Sequence, residues 1–143
     1  MMKIANAPCS WGILEFDIKN HSNYKKVLDE IKECNYSGTE LGDYGFLPTN
    51  PTLLRKELNK RNLSLVGAFI PLALYIKENH RKGIKKALLI ADLMKKAGFN
   101  DSLIILSDDN CKVNERTSNT ARIKKSMKLS KKKRLIFAEG ANK

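Results

Sequence analysis

The chain is predicted to belong to the α/β class, built from parallel strand–helix units. Two observations carry this. Short apolar runs alternate with segments whose apolar residues recur at helical spacing, the pattern of βαβ units with right-handed crossovers. The run Leu63 to Ile70 is almost continuously apolar, as expected of a strand buried on both faces of a parallel sheet. A length of 143 residues allows one ordinary domain with a real core.

The first strand spans Lys3 to Pro8 and leads into a loop. A helix follows, because Tyr24, Val27, Leu28, Ile31 and Cys34 fall on one face. Ser22 or Asn23 can cap it through a short side-chain oxygen. Ser37 to Leu41 is the second strand, and the turn-rich segment GDYGFLPTNP comes after it. Pro51 suits the first position of a helix, with Asn50 or Thr49 as cap, and that helix runs to about Asn62. After the third strand, a helix from about Arg81 to Ala97 buries Ile84, Ala87, Leu88, Ala91 and Met94, and Gly98 ends it. Ser102 to Leu106 is a fourth buried strand. Asp108 to Met127 reads as a long polar loop, with a basic linker at about 111–129. Ser130 can cap a last helix containing Leu135, Ile136 and Phe137. An eight-stranded barrel of such units needs about 250 residues. Four strands therefore make about half of a TIM barrel, truncated after the fourth strand.

Charge is uneven. Residues 1–110 hold 16 Lys+Arg against 13 Asp+Glu, whereas residues 111–143 hold 11 against 2. The basic run RIKKSMKLSKKKR would attract a polyanion by counterion release. No aromatic residue interleaves its lysines, so a stacking platform for single strands is missing and nucleic-acid binding is disfavoured. The apolar runs fall well short of the roughly 20 residues of a membrane-spanning helix, and the first residues lack a signal-peptide core. The expectation is a cytoplasmic chain with no membrane partner. Cys9, Cys34 and Cys111 form no CxxC pair, which suggests neither a disulfide framework nor a zinc knuckle. Neither GxGxxG nor GxxxxGK[ST] occurs, which disfavours dinucleotide binding and nucleotide hydrolysis.

Ligands of parallel α/β sheets bind at the carboxyl ends of strands. That rule selects Cys9, Ser10 and Trp11 after the first strand and Glu40 and Asp43 at the second. It adds Phe69 and Pro71 at the third, and Ser107, Asp108 and Asp109 at the fourth. The combination suits a sugar or polyol: carboxylates accept hydrogen bonds from hydroxyls, and an aromatic ring stacks on the apolar face of a sugar. Glu40 sits in an otherwise apolar strand, where a carboxylate is costly unless it is paired or faces a polar cavity. His21 and His80 lie beside helix starts and are read as surface or capping residues. No metal site is visible, and neither Ser10 nor Cys9 has a nearby base, so nucleophilic catalysis is unsupported.

The strings APCSWGILEFD, GTELGDYGFLPTNP, LSLVGAFIPLAL and DDNCKVNERT resemble the xylose isomerase-like TIM-barrel family. This is the sugar phosphate isomerase/epimerase group that includes the inosose dehydratases. The resemblance runs from about Lys3 to the terminal FAEGANK. It implies a sugar, keto-sugar or polyol substrate and, for the full-length family, a divalent metal (Mn, Mg or Co). Glu40 and Asp108 then carry catalysis, while Ser10, Trp11, Asp43, Phe69 and Asp109 bind substrate. The family's metal ligands come mainly from later strands, which are absent here, so the chain alone is expected to hold no metal and to be inactive. The lysines around residues 124–134 also depart from the family. The expected function is thus the N-terminal part of a metal-dependent sugar or polyol isomerase or epimerase. The alternatives are an inosose dehydratase-type lyase, or a non-catalytic basic α/β module binding a polyanion. Self-association through exposed sheet edges is a further expectation.

Overall fold

The computed structural model describes residues 3–13, 23–107, 113–119 and 121–143. The strands are β1 (Ala5–Asn6), β2 (Gly38–Glu40), β3 (Ser64–Pro71) and β4 (Leu103–Ser107). They form one sheet in the order β1-β2-β3-β4, all parallel. The helices are α1 (Tyr24–Glu33), α2 (Pro51–Asn59), α3 (His80–Lys96), the single turn α4 (Asn114–Thr117) and α5 (Lys131–Ala141). The α/β class and the parallel strand–helix units follow directly. Strands in sequential order joined by right-handed crossovers put successive helices on one face of a sheet. None of these helices is long and apolar enough to cross a membrane, among the described residues.

Local chemistry explains the helix starts. Asn23 Oδ1 accepts from Lys25 N, Asn50 Oδ1 from Leu53 N and Ser130 Oγ from Lys133 N, so each cap satisfies an amide of the first turn. Pro51 occupies the first turn of α2, where no backbone donor is needed. α3 stops at Gly98, whose φ of +84° is the left-handed conformation that closes a helix.

The chain divides into two compact units. The first comprises Met1–Ile70 and Leu88–Ile105, the second Pro71–Ala87 and Leu106–Lys143. In the first, Val27, Leu28 and Ile31 of α1, Leu54 and Leu58 of α2, Ile90, Leu93 and Met94 of α3, and Ala97 just past its end are buried. So are Thr39 and Leu41 at β2 and Leu65, Ala68 and Ile70 of β3. Arg61 adds a polar clamp to this core. Its Nε donates to Asp29 Oδ1 at 2.6 Å, and its Nη1 donates to Glu57 Oε2 and to the Glu57 carbonyl, each at 2.9 Å. The guanidinium holds the Asp29 carboxyl below its ordinary range, and the carboxylates raise Arg61 further.

In the second unit His80 is buried at 3% exposure, contrary to the surface or capping role expected for it. Its Nε2 lies 2.8 Å from the Leu74 carbonyl oxygen, to which it donates, leaving Nδ1 as the acceptor 3.4 Å from Lys143 Nζ. Gly140 of α5 packs against the ring so closely that a Cβ there would lie 2.7 Å from Nε2. Lys143 Nζ also donates to Glu139 Oε1 at 3.0 Å and so holds that carboxyl below its usual range.

Three further expectations are corrected. The polar segment after β4 is not a plain loop. It contains α4 and a 3-10 turn at Lys125–Met127, the former held by Thr117 Oγ1 and Ser118 Oγ donating back to the carbonyls of Val113 and Asn114. Leu88 is 64% exposed rather than part of the buried stripe of α3, which instead turns on Ile90, Leu93 and Met94. β4 is not a buried strand: it ends the sheet, and Leu103 is 67% exposed. An outermost strand has a neighbour on one edge only, and nothing described covers the Leu103 side.

Candidate functional site

The two faces of the sheet differ. Facing positions can be traced through the glycines, which have no side chain of their own. A Cβ at Gly38 would point at Val66 Cγ1 (3.0 Å) and Ala5 Cβ (3.5 Å), and one at Gly67 at Ile105 Cδ1 (3.4 Å). Ala5, Gly38, Val66, Gly67 and Ile105 therefore share a face. Glu40 lies two residues from Gly38 and pairs with Gly67, so it belongs to this face too, and so does Phe69, two residues beyond Gly67. Ala5, Val66, Leu103 and Ile105 are exposed, and Glu40 and Phe69 are half-buried. The opposite face holds the buried Thr39 and Leu65. The apolar side of the first unit is thus packed, and the side carrying Glu40 is open.

A register shift sits beside Glu40. Thr39 pairs with Leu65 but Glu40 pairs with Gly67, so Val66 is an extra residue on β3. Such bulges are rare in parallel pairs and re-aim neighbouring side chains. Leu41 N then donates to the Gly67 carbonyl at 2.8 Å, which fixes the strand just past the bulge. Among the described residues no hydrogen bond or ion pair engages the Glu40 carboxylate. A half-buried, unpaired carboxylate costs free energy that a structural role would have avoided by pairing it.

Close packing of the turns after β1 and β2 brings further predicted residues near. The 3-10 turn Pro8–Trp11 follows β1, and Pro8 Cγ lies 3.1 Å from where a Cβ at Gly42 would sit. Gly42 has φ +68°, so both its conformation and its neighbour require glycine. Ser10 Oγ donates to Asn6 Oδ1 at 2.8 Å, leaving the hydroxyl oxygen as an acceptor. Trp11 packs edge-on against Tyr36, with ring centroids 6.4 Å apart. Asp43 is half-buried in the turn after β2, and its carbonyl accepts from Phe46 N. Glu40 and Phe69 are therefore on one face, with the Ser10 and Asp43 turns at the same ends of their strands. Asp108 and Asp109 lie outside the described residues.

The Asp29–Arg61–Glu57 network escaped sequence reading. The Glu57–Arg61 spacing of four residues was a legible signal, since such pairs adjoin on a helix, but Asp29 lies 32 residues away. Cys9 and Cys34 are exposed free thiols. Among the described residues, no group of three or more His, Cys, Asp or Glu converges to hold a metal ion. The described residues thus do not by themselves fit the divalent cation that the resemblance implies, and no step is routed through one.

Comparison with protein-family models, with curated proteins and with solved structures finds no match to the chain.

Proposed function

We propose that the chain is part of a sugar or polyol isomerase or epimerase of the (β/α) barrel type, supplying four strand ends of the substrate site and inactive by itself. The observation that carries this reading is Glu40: half-buried, unpaired among the described residues, and set beside a bulge on the open face of the sheet. A carboxylate so placed can accept the O–H of a bound polyol. It can also act as a general base, taking a proton onto Oε from a hydroxyl or from the carbon beside a carbonyl. Phe69, on the same face, suits the apolar side of a sugar ring. Ser10, Trp11 and Asp43 complete the wall in this reading.

Titration of the chain with cyclic polyols and ketoses, followed by the fluorescence of its single tryptophan, tests the proposal. Saturable binding weakened about tenfold or more by Glu40→Gln is the expected outcome, since a hydrogen bond to a charged group is worth about 1.5–3 kcal/mol. Glu115→Gln, in the second unit, should leave it unchanged. Absence of saturation with every polyol, or identical curves for wild type and Glu40→Gln, would refute the reading.

A further inference from the structure

We propose that His80 and the end of α5 form a proton-operated latch: the helix is held down on the neutral ring and is released when the ring takes a second proton. Every group involved belongs to the second unit. α5 has little else to hold it. Gly140 is its one buried residue, Ile136 and Phe137 are half-buried, and the rest of the helix is exposed. That buried position packs on the His80 ring, where a Cβ would lie 2.7 Å from Nε2 and 2.8 Å from Cδ2.

Both ring nitrogens are engaged, and that decides where a proton can enter. Nε2 donates to the Leu74 carbonyl at 2.8 Å. Leu74 is buried, and Asn79 Nδ2 donates to the preceding carbonyl of Ala73 at 3.3 Å, so this acceptor is held in place. The lone pair of Nδ1 is then the only site for a second proton. Lys143 Nζ donates to that same lone pair at 3.4 Å. The ammonium and the incoming proton therefore exclude one another.

The surrounding charges offer the protonated ring no partner. Among the described residues, the charged groups around it are Lys143 and Glu139 from α5 and its end, and Lys77 from the turn before α3. Two cations outnumber one carboxylate, and Glu139 Oε1 already accepts from Lys143 Nζ at 3.0 Å. A second proton would thus leave a cationic ring buried beside an ammonium, a costly arrangement. Lys143 is exposed and lies past the last turn of α5, so lifting that end separates the two charges and lets water reach the ring. Proton uptake and release of the helix are in this way linked.

The test is amide hydrogen exchange of the whole chain as pH is lowered from about 8 to about 5, the span over which histidines change charge. The ring signals of His80 are followed in the same samples. Protection of the Ala138–Ala141 amides is expected to fall about tenfold in step with the His80 titration, since a buried charge without a partner costs at least that much. Amides of α1 and α2, in the first unit, should keep their protection. Lys143→Met removes the competing ammonium and should shrink the step to about threefold or less, because one hydrogen bond to a charged group is lost. His80→Gln should abolish the step. Glu139 is not the source, because Lys143 holds its carboxyl below the usual range. Three results would each overturn the proposal: protection of α5 that stays constant while the His80 ring titrates, a step of equal size in Lys143→Met, or a step that persists in His80→Gln with α1 and α2 intact.

Discussion

The two units are built on opposite principles. The first has 11 Lys+Arg against 10 Asp+Glu and contains nearly every buried apolar side chain of the described residues. The second, with 16 against 5, buries Leu74 as its one core hydrophobe among those residues, next to the polar ring of His80. Apolar burial, at roughly 25 cal/mol per Å², thus stabilises the first, while the second depends on a few specific contacts and works against its own charge. A near-neutral, well-packed unit can tolerate at Glu40 a carboxylate that is unpaired among the described residues. A strongly basic and thinly packed one gains from any anion it captures.

Five substitutions would break or sharpen this contrast. The largest effect is expected at Leu58, which is fully buried in α2: Leu58→Ala should cost about 4 kcal/mol in urea unfolding, whereas Leu135→Ala, on the exposed side of α5, should stay within about 0.5 kcal/mol. Comparable losses at both positions would erase the distinction. Next comes Arg61→Ala, which leaves the Glu57 carboxylate buried without its partner and should cost about 3 kcal/mol. The other carboxylate of that clamp adds a pH dependence. Asp29 is held below its ordinary pKa by Arg61, so its contribution is present above the unfolded-state value and is lost as pH falls through the lower folded-state value. The difference in urea midpoint between wild type and Asp29→Asn should therefore shrink on acidification from neutrality; a constant difference would show that the pair is not coupled to folding. Of the sites where a loss is expected, Gly140 gives the smallest. Alanine recovers about 1 kcal/mol of helix propensity, but its Cβ meets the fixed His80 ring, and overpacking costs about 1–3 kcal/mol. The net loss should be about 1 kcal/mol and local, seen as faster amide exchange in α5 with α1 and α2 unchanged.

Much of the first unit was legible because periodicity reports secondary structure directly. The stripe Val27, Leu28, Ile31 located α1, Pro51 located the start of α2, and the turn-forming Gly98 marked the end of α3. What periodicity does not report is whether an apolar stripe is covered. Leu88 and Leu103 have the pattern of core residues and are exposed, because coverage depends on which elements lie opposite. The second unit was harder to read. α4 has no apolar period and is held by side chain–backbone bonds between near neighbours. The burial of His80 depends on Gly140, sixty residues on, and no local signal encodes that contact. Glu40 was visible as a carboxylate in an apolar strand, but the bulge that aims it depends on how β2 and β3 pair.

The direction of β4 has a consequence for how this architecture can be enlarged. It is the last strand of an all-parallel sheet, and a parallel neighbour cannot be joined to it by a tight hairpin, since the connection needs a dozen or more residues, usually a helix. Growth at that margin is therefore quantised in whole repeats. A chimera that grafts such repeats after Ser107 would lengthen the wall from the far side, leaving the Glu40–Gly67 register untouched.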